Sequence, residues 1–285
     1  MAFDLGKGIN LSKVQSTRYL EVLDFYKKVG LTERYPHFFV NGFPIFFDFT
    51  KTRIGVNLSC GADSTLMTFL LCEAIQHMGL NIKIYPLTIA RHWEYNKWNE
   101  DAKNLVYQIL KDKYPNIIQP QIWSMLPTTY EFTPLKNLTF PDPSTTPHEL
   151  LRMDNIKVEL YHFMEFNKWA ARHYELDVIY NGTNTVPITK LSTTPEHRKQ
   201  ETLNLVDQFK VISEVDKFGA KYISANPFGL IEKDWIVAHY DYFGLQEYFD
   251  MTVSCEEFRE GCNNCFHCEE RQWAIDNKYR ILDAL

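Results

Sequence analysis

The chain has 285 residues, 45 % hydrophobic and 15 % aromatic, enough for one large α/β domain or a domain with a small appendage. Thirty-six acidic against thirty basic residues give a formal charge of -6, which argues against nonspecific nucleic-acid binding as the main activity. No run of about twenty uninterrupted apolar residues occurs, so no transmembrane helix is expected.

Met1-Ala2-Phe3-Asp4-Leu5-Gly6-Lys7 lacks the charged start and apolar core of a secretory signal. The expected compartment is reducing cytoplasm, with the sequons at Asn57, Asn137 and Asn181 read as chance matches. Tyr19, Val22, Leu23, Tyr26 and Val29 then space an amphipathic helix that Gly30 ends. Phe38-Phe39-Val40, Asn41-Gly42 and Phe43-Pro44-Ile45-Phe46-Phe47 predict a hairpin on an Asn-Gly turn, with Pro44 placing the second strand at an edge. Residues 1–50 are expected to be an extension packed on the domain that follows.

From Arg53 strands and helices alternate. Ile54 to Leu58 predicts a buried strand, and Leu66, Met67, Leu70, Leu71, Ala74, Ile75 and Met78 a helix closed by Gly79, with Cys72 as packing. Ile82 to Ile89 is the next strand, Pro86 marking an irregularity or an edge. A helix follows on Ala102, Leu105, Val106, Ile109 and Leu110. The stretch 115–149 holds seven prolines and reads as a long irregular loop. A long helix within 150–174, a strand at Asp177 to Tyr180, a helix near 199–215, a strand near Tyr222 to Ser224 and a helix across 232–242 complete the pattern. The alternation predicts an α/β fold over 51–250, with a mainly parallel Rossmann-like sheet and helices on both faces.

Between the first buried strand and its helix stands Ser59-Cys60-Gly61-Ala62-Asp63-Ser64. Small residues there let backbone N–H groups and the positive helix end converge, a cradle suited to phosphate. The hydroxyls of Ser59 and Ser64 add donors, and Asp63 can meet Mg²⁺ or orient the loop. Read as plain structure, the loop is a strand-to-helix turn with Ser64 as N-cap. No G-x-x-x-x-G-K-[ST] occurs, which excludes a Walker P-loop.

Cys255, Cys262, Cys265 and Cys268 follow C-x6-C-x2-C-x2-C, a spacing that suits a closed structural Zn²⁺ site in segment 251–285. Iron–sulfur ligation and unmetallated thiols are the alternatives. His267 reads as a bystander where four thiolates suffice. Among His92, His148, His162, His173 and His197, His92 follows a strand and is the best placed for catalysis.

The Ser59–Ser64 loop resembles the S-G-G-x-D-S signature of the PP-loop (N-type) ATP pyrophosphatases, which have an adenine nucleotide alpha hydrolase-like fold. Thr252-Val253-Ser254-Cys255, Gly261-Cys262-Asn263-Asn264-Cys265-Phe266-His267-Cys268 and Glu270-Arg271-Gln272-Trp273-Ala274-Ile275 resemble the ending of one branch, the 7-cyano-7-deazaguanine synthases. Asn226-Pro227-Phe228 through Lys233 and Gly244-Leu245 resembles that branch's proline-then-lysine segment. The resemblance implies ATP with Mg²⁺ on Ser59, Cys60, Gly61, Ala62, Asp63, Ser64 and Lys233, with Asp63 and Lys233 catalytic. By its own position Lys233 reads equally as a solvated lysine at a helix start.

The implied reaction is an ATP-dependent ligation that adenylates the carboxylate, then the amide, of a 7-deazaguanine-type acid, with ammonia as co-substrate. Enzymes of this kind are often homodimers. Val178 to Gly182 resembles the strand that delivers substrate contacts, and Arg152 and Asn155 an Arg-Asn pair ahead of the long helix. Two departures stand out: Cys60 replaces the loop's first glycine, and Thr183-Asn184-Thr185-Val186-Pro187 replaces a substrate loop rich in Asp, Ser, Tyr, Pro and Cys. A tRNA-modifying PP-loop sulfurtransferase and a non-catalytic nucleotide-binding module are the competing expectations.

Overall fold

A computed structural model of the chain describes residues 3–91, 97–126, 163, 166–187, 191, 212–215, 221–255 and 259–285. His92, His148, His162, His197, Arg152 and Asn155 lie outside these residues, as do 127–149 of the proline-rich stretch. No helix among the described residues is long and apolar enough to cross a membrane.

Helix α1 (Thr17–Val29) starts on Ser16, whose hydroxyl accepts the Tyr19 N–H, and stops at Gly30, whose φ of 62° suits a residue without Cβ. After the short α2 (Leu31–Arg34), β1 (His37–Val40) and β2 (Phe43–Phe46) pair antiparallel across Asn41-Gly42. Both turn residues have positive φ, as a tight two-residue hairpin requires.

The main sheet holds β3 (Arg53–Asn57), β4 (Lys83–Arg91), β5 (Ile122–Leu126), β6 (Val178–Asn181), β7 (Ile212–Val215) and β8 (Lys221–Ala225) in the order β5-β4-β3-β6-β8-β7. All pairs are parallel except β7 with β8. Helices α3 (Ala62–His77) and α4 (Lys97–Lys113) alternate with the first strands. Helices α5 (Lys233–Tyr242), α6 (Gln246–Met251), α7 (Phe266–Asn277) and α8 (Tyr279–Leu282) follow the last.

Strand alternation divides the core in two. Val178 and Tyr180 join the large cluster that includes α3, α4 and α5, while Ile179 joins Leu87, Ile122, Phe166 and Ala170 on the opposite face. The sheet is therefore covered on both sides, which explains its nearly continuous apolar strands.

Three local expectations change. Ile212–Val215 is a strand where a helix near 199–215 was expected, because it pairs along Lys221–Ala225 as an antiparallel edge. Ile122–Leu126 forms a strand inside the stretch expected to be irregular. Pro86 lies in an interior strand rather than at an edge. Lys83 donates to Thr52 on the β3 side and Ile84 donates to Ile117 on the other. Alternation then turns the missing donor of Pro86 toward β5, whose register begins only at Leu87.

The first fifty residues share the large core. Phe43 meets Trp235 with ring centroids 5.6 Å apart, and Phe47 meets Tyr180 at 5.5 Å. The Asn10 N–H donates to the Ala284 carbonyl at 2.8 Å and the Gln15 N–H to Arg280 at 2.9 Å, so the two ends of the chain are joined.

Candidate nucleotide cleft and metal centre

The chain lays down β3, β4 and β5 in one direction, then returns to place β6 on the other side of β3. At such a reversal the connections leave in opposite directions and a crevice opens beyond the carboxyl ends of the strands. Asn57 and Asn181, the last residues of β3 and β6, stand at this point. The Asn57 Nδ2 donates to Asn181 Oδ1 at 2.5 Å, and Asn181 Nδ2 donates to Ser224 Oγ on β8 at 3.0 Å.

Ser59–Ser64 follows β3 directly. Cys60 has a φ of 62° and its side chain is buried, so the thiol is turned into the protein, while its carbonyl accepts the Val253 N–H at 3.1 Å. Ser64 is not the N-cap: that position is Gly61, which makes no side-chain cap. Ser64 instead lies inside the first turn of α3, where its hydroxyl accepts the Ser59 N–H at 3.2 Å and meets the Ser59 hydroxyl at 3.0 Å. The first-turn amides of Ala62, Asp63 and Ser64 have no carbonyl one turn back in the helix, so this end of α3 carries the partial positive charge that suits an anion.

Gly182, just after β6, closes the far side. A Cβ there would fall 2.5 Å from the Ser64 nitrogen and 2.6 Å from its Cα. Only glycine fits so close a backbone approach.

Lys233 opens α5 and is not a solvated lysine, being only 4 % exposed. Its ammonium lies 3.2 Å from Asp63 Oδ2 and 2.5 Å from Glu270 Oε2. Burial works against the charge, but Asp63 and Glu270 outweigh it and hold the pKa of Lys233 above its ordinary value. Asn184 Nδ2 donates to Glu270 Oε1 at 3.2 Å. Next to it, Thr185 donates through its N–H to Ile231 and through its hydroxyl to Gly229, at 2.8 and 2.7 Å. The 183–187 segment is thus tied to the turn that precedes Lys233.

Two adjoining cavities of about 330 and 380 Å³ occupy the crevice. Both are lined by Asn57, Ser59, Asp63, Phe163, Lys233 and His267. The first adds Leu87, Ile89, Lys103 and Val253 to Cys255, so its wall mixes apolar side chains with a further cation. The second adds Asn181 to Asn184, Phe266 and Glu270. Sequence reading missed Asn57, Asn184, His267 and Glu270 here. Of the histidines it raised, His173 is exposed and stacks on Trp169, with no part in lining the crevice. Cys72 is buried in α3, and burial pushes its thiol well above the ordinary range.

The four C-terminal cysteines converge. Their sulfurs all lie within 4.8 Å of one another, and Cys262 Sγ is 3.9 Å from Cys268 Sγ. A tetrahedral ion with metal–sulfur bonds of about 2.3 Å needs edges of about 3.8 Å. A four-iron cube interposes its own edges and sets its thiolates farther apart, so the spacing fits one ion better. His267 is outside the ligand set.

Helix α7 continues from this centre. Cys265 is its N-cap, and Arg271 donates to Thr252 Oγ1 at 2.8 Å and to the Phe249 carbonyl at 2.9 Å. Val253 to Cys255, which follow Thr252 and wall the first cavity, are held in place by this clamp.

No protein-family profile matches the chain, and no curated protein matches it in sequence. Among solved structures, it is similar to the U34-tRNA thiolase NcsA from Methanococcus maripaludis with its 4Fe-4S cluster: identity is 11 % over 82 % of this chain and 71 % of that one, with a TM-score of 0.45. It is also similar to phosphoadenylyl-sulfate reductase from Candida auris in a phosphate complex, at 10 % identity over 79 % of this chain and 86 % of that one, with a TM-score of 0.34.

Proposed function

We propose that the chain is a PP-loop ATP pyrophosphatase that uses ATP with Mg²⁺ to adenylate an oxygen of a small heterocyclic acid, in the manner of 7-cyano-7-deazaguanine synthases. One observation carries the reading: Asp63 and Lys233, distant in sequence, meet at 3.2 Å beside the Ser59–Ser64 loop. A cation, a carboxylate and a helix N-terminus thus stand around one point at the strand ends, which supports the reading.

In this reading the amides of Ala62 to Ser64 and Lys233 would bind the β- and γ-phosphates, and Asp63 would hold the Mg²⁺ that offsets phosphate charge. A substrate carboxylate oxygen attacks the α-phosphorus, and the bond to the β-phosphate oxygen breaks, releasing pyrophosphate. Ammonia then attacks the acyl carbon, AMP leaves and a proton is lost, giving the amide. A second adenylation on the amide oxygen releases pyrophosphate again, and loss of AMP with both amide protons then gives the nitrile. The protein's contribution is positioning and charge neutralisation.

Cys255, Cys262, Cys265 and Cys268 would hold a structural Zn²⁺. Four thiolates close its coordination, so it fixes the fold and takes no part in the reaction. Their spacing favours this reading over a sulfurtransferase built on a cluster.

The test is incubation with ATP, Mg²⁺, ammonia and a panel of deazaguanine acids. Equal release of AMP and pyrophosphate is expected, with amide and nitrile separated by mass. Replacing Lys233 by Met is expected to lower turnover on the order of 10²-fold or more. Brown protein with labile sulfide, or a panel that yields no AMP, would overturn the reading.

A further inference from the structure

Three polar side chains are linked across the carboxyl ends of the apolar strands. Asn57 ends β3, Asn181 ends β6, and the two are in register. Ser224 on β8 is in register with Ile179, two residues before Asn181, so all three stand on the sheet face that carries Ile179. Asn57 Nδ2 donates to Asn181 Oδ1, and Asn181 Nδ2 donates to Ser224 Oγ. The result is a hydrogen-bonded ladder over three strands.

A carboxamide has two N–H donors and an oxygen with two lone pairs. Asn181 takes one donor of Asn57. Among the described residues nothing meets Asn57 Oδ1 or its second N–H, and Asn57 borders both cavities. Held at one corner, it keeps an acceptor beside a donor.

The two cavities differ around that edge. The first has aliphatic Leu87 and Ile89 with Lys103, whose ammonium donates to the Ile89 carbonyl at 2.7 Å. The second has Asn181 and the aromatic ring of Phe266, whose centroid lies 5.1 Å from that of His267. Asn181 borders the second cavity and not the first, so the ladder belongs to the second.

We infer that Asn57 is a specificity-determining residue that reads a lactam edge, a ring N–H beside a C=O, on an acid seated in the second cavity. Asn181 and Ser224 are its positioning residues. The inference rests on the nucleotide reading above and names the group by which the cleft selects its substrate. The ring N–H would donate to Asn57 Oδ1, and the ring C=O would accept the second Asn57 N–H. Because the ladder fixes the carboxamide on folding, little rotamer freedom is left to lose on binding. The penalty falls on the wrong ligand: a ring without that N–H leaves Asn57 Oδ1 unpaired and cut off from water.

The experiment uses the metal-loaded full chain with ATP and Mg²⁺. It compares a 7-deazaguanine carboxylic acid with the same acid methylated at its lactam nitrogen, by release of AMP. Wild type is expected to prefer the parent acid by about 100-fold or more in kcat/KM. Asn57→Leu is expected to raise KM for the parent acid about tenfold, to leave KM for ATP unchanged, and to shrink the preference at least about tenfold. Leucine has the outline of asparagine, so rejection by bulk alone would leave the preference intact. Asn181→Leu keeps Asn57 but unties it, and is expected to raise KM for the acid severalfold; it also serves if Asn57→Leu does not fold.

Equal use of both acids by wild type overturns the role of Asn57 alone. So does a preference that survives in Asn57→Leu, a rise in KM for ATP in place of the acid, or Asn181→Leu equal to wild type. Wild type that releases no AMP with any acid overturns the nucleotide reading and this inference with it.

Discussion

Cys60 adopts a backbone conformation that glycine enters without cost and that other residues enter at a cost of about 1–2 kcal/mol. Its thiol is buried, and its carbonyl accepts the Val253 N–H. Cys60→Gly is expected to keep nucleotide binding and to shift the melting temperature little, because relief of strain offsets the void left by the thiol. Cys60→Val, with a branched Cβ at the same φ, is expected to cost about 2 kcal/mol and a fall of several degrees in a thermal melt. Both the loop and the cysteine quartet are legible in the sequence because each is built from near neighbours. Glu270 and Asn184 are not, since only the crossing of α7 and the post-β6 segment brings them to Lys233. The burial of Lys233 is equally hidden: a lysine opening a helix between Glu232 and Asp234 reads as surface until the two carboxylates that flank its ammonium are in place.

Helix α5 carries the cleft at its first residue and the N-terminal extension along its side. His239, fully buried on that helix, bonds through Nδ1 to the Trp235 carbonyl at 2.8 Å, and its Nε2 lies 3.3 Å from Asn41 Nδ2. The carbonyl can only accept, so Nδ1 carries the proton and Nε2 accepts from Asn41. Burial pulls the pKa of His239 down from 6.5 to about 3. The sign follows: between these values the unfolded chain binds a proton that the folded chain refuses. The stabilisation is therefore complete above pH 6.5 and is lost as pH falls through that window toward the folded value. A melting temperature that drops from about pH 7 to about pH 5, with a shallower drop in His239→Gln, is the expected result.

At the opposite wall, Gly182→Ala would drive a Cβ into the Ser64 backbone, which cannot yield as a flexible side chain would. A loss of about 2 kcal/mol in a denaturant titration is expected, with weaker nucleotide binding as the first turn of α3 is displaced. The sequence pattern placed the interior elements correctly because burial on both faces leaves long apolar runs. It failed at Ile212–Val215, a four-residue edge strand whose pairing partner alone decides its conformation.

At the scale of the molecule, the extension and the C-terminal helices form one packed body with the sheet rather than appendages to it. Arg280 on α8 lies 3.1 Å from Asp234 and 3.7 Å from Glu232, the residues on either side of Lys233 in sequence. The Gln15 N–H closes on the Arg280 carbonyl. The first turn of α5 is thus supported from both chain ends. Deleting residues 1–16 is expected to lower the melting temperature and to weaken nucleotide binding together, since the same contacts support both. A deletion that lost only stability would show that α8 holds its place without the extension.

Helix α7 has one further consequence. It carries Cys268 and, two residues on, Glu270, so a metal held by the four cysteines would be joined through one helix to the carboxylate beside Lys233. Linkage makes such a connection reciprocal: whatever factor the metal contributes to nucleotide affinity, the nucleotide returns to metal affinity. A chelator is expected to weaken nucleotide binding roughly 5–150-fold, and saturating nucleotide to raise metal affinity by the same factor in an equilibrium competition with a chelating dye. Under metal scarcity, the copies occupied by nucleotide would be the last to lose their metal.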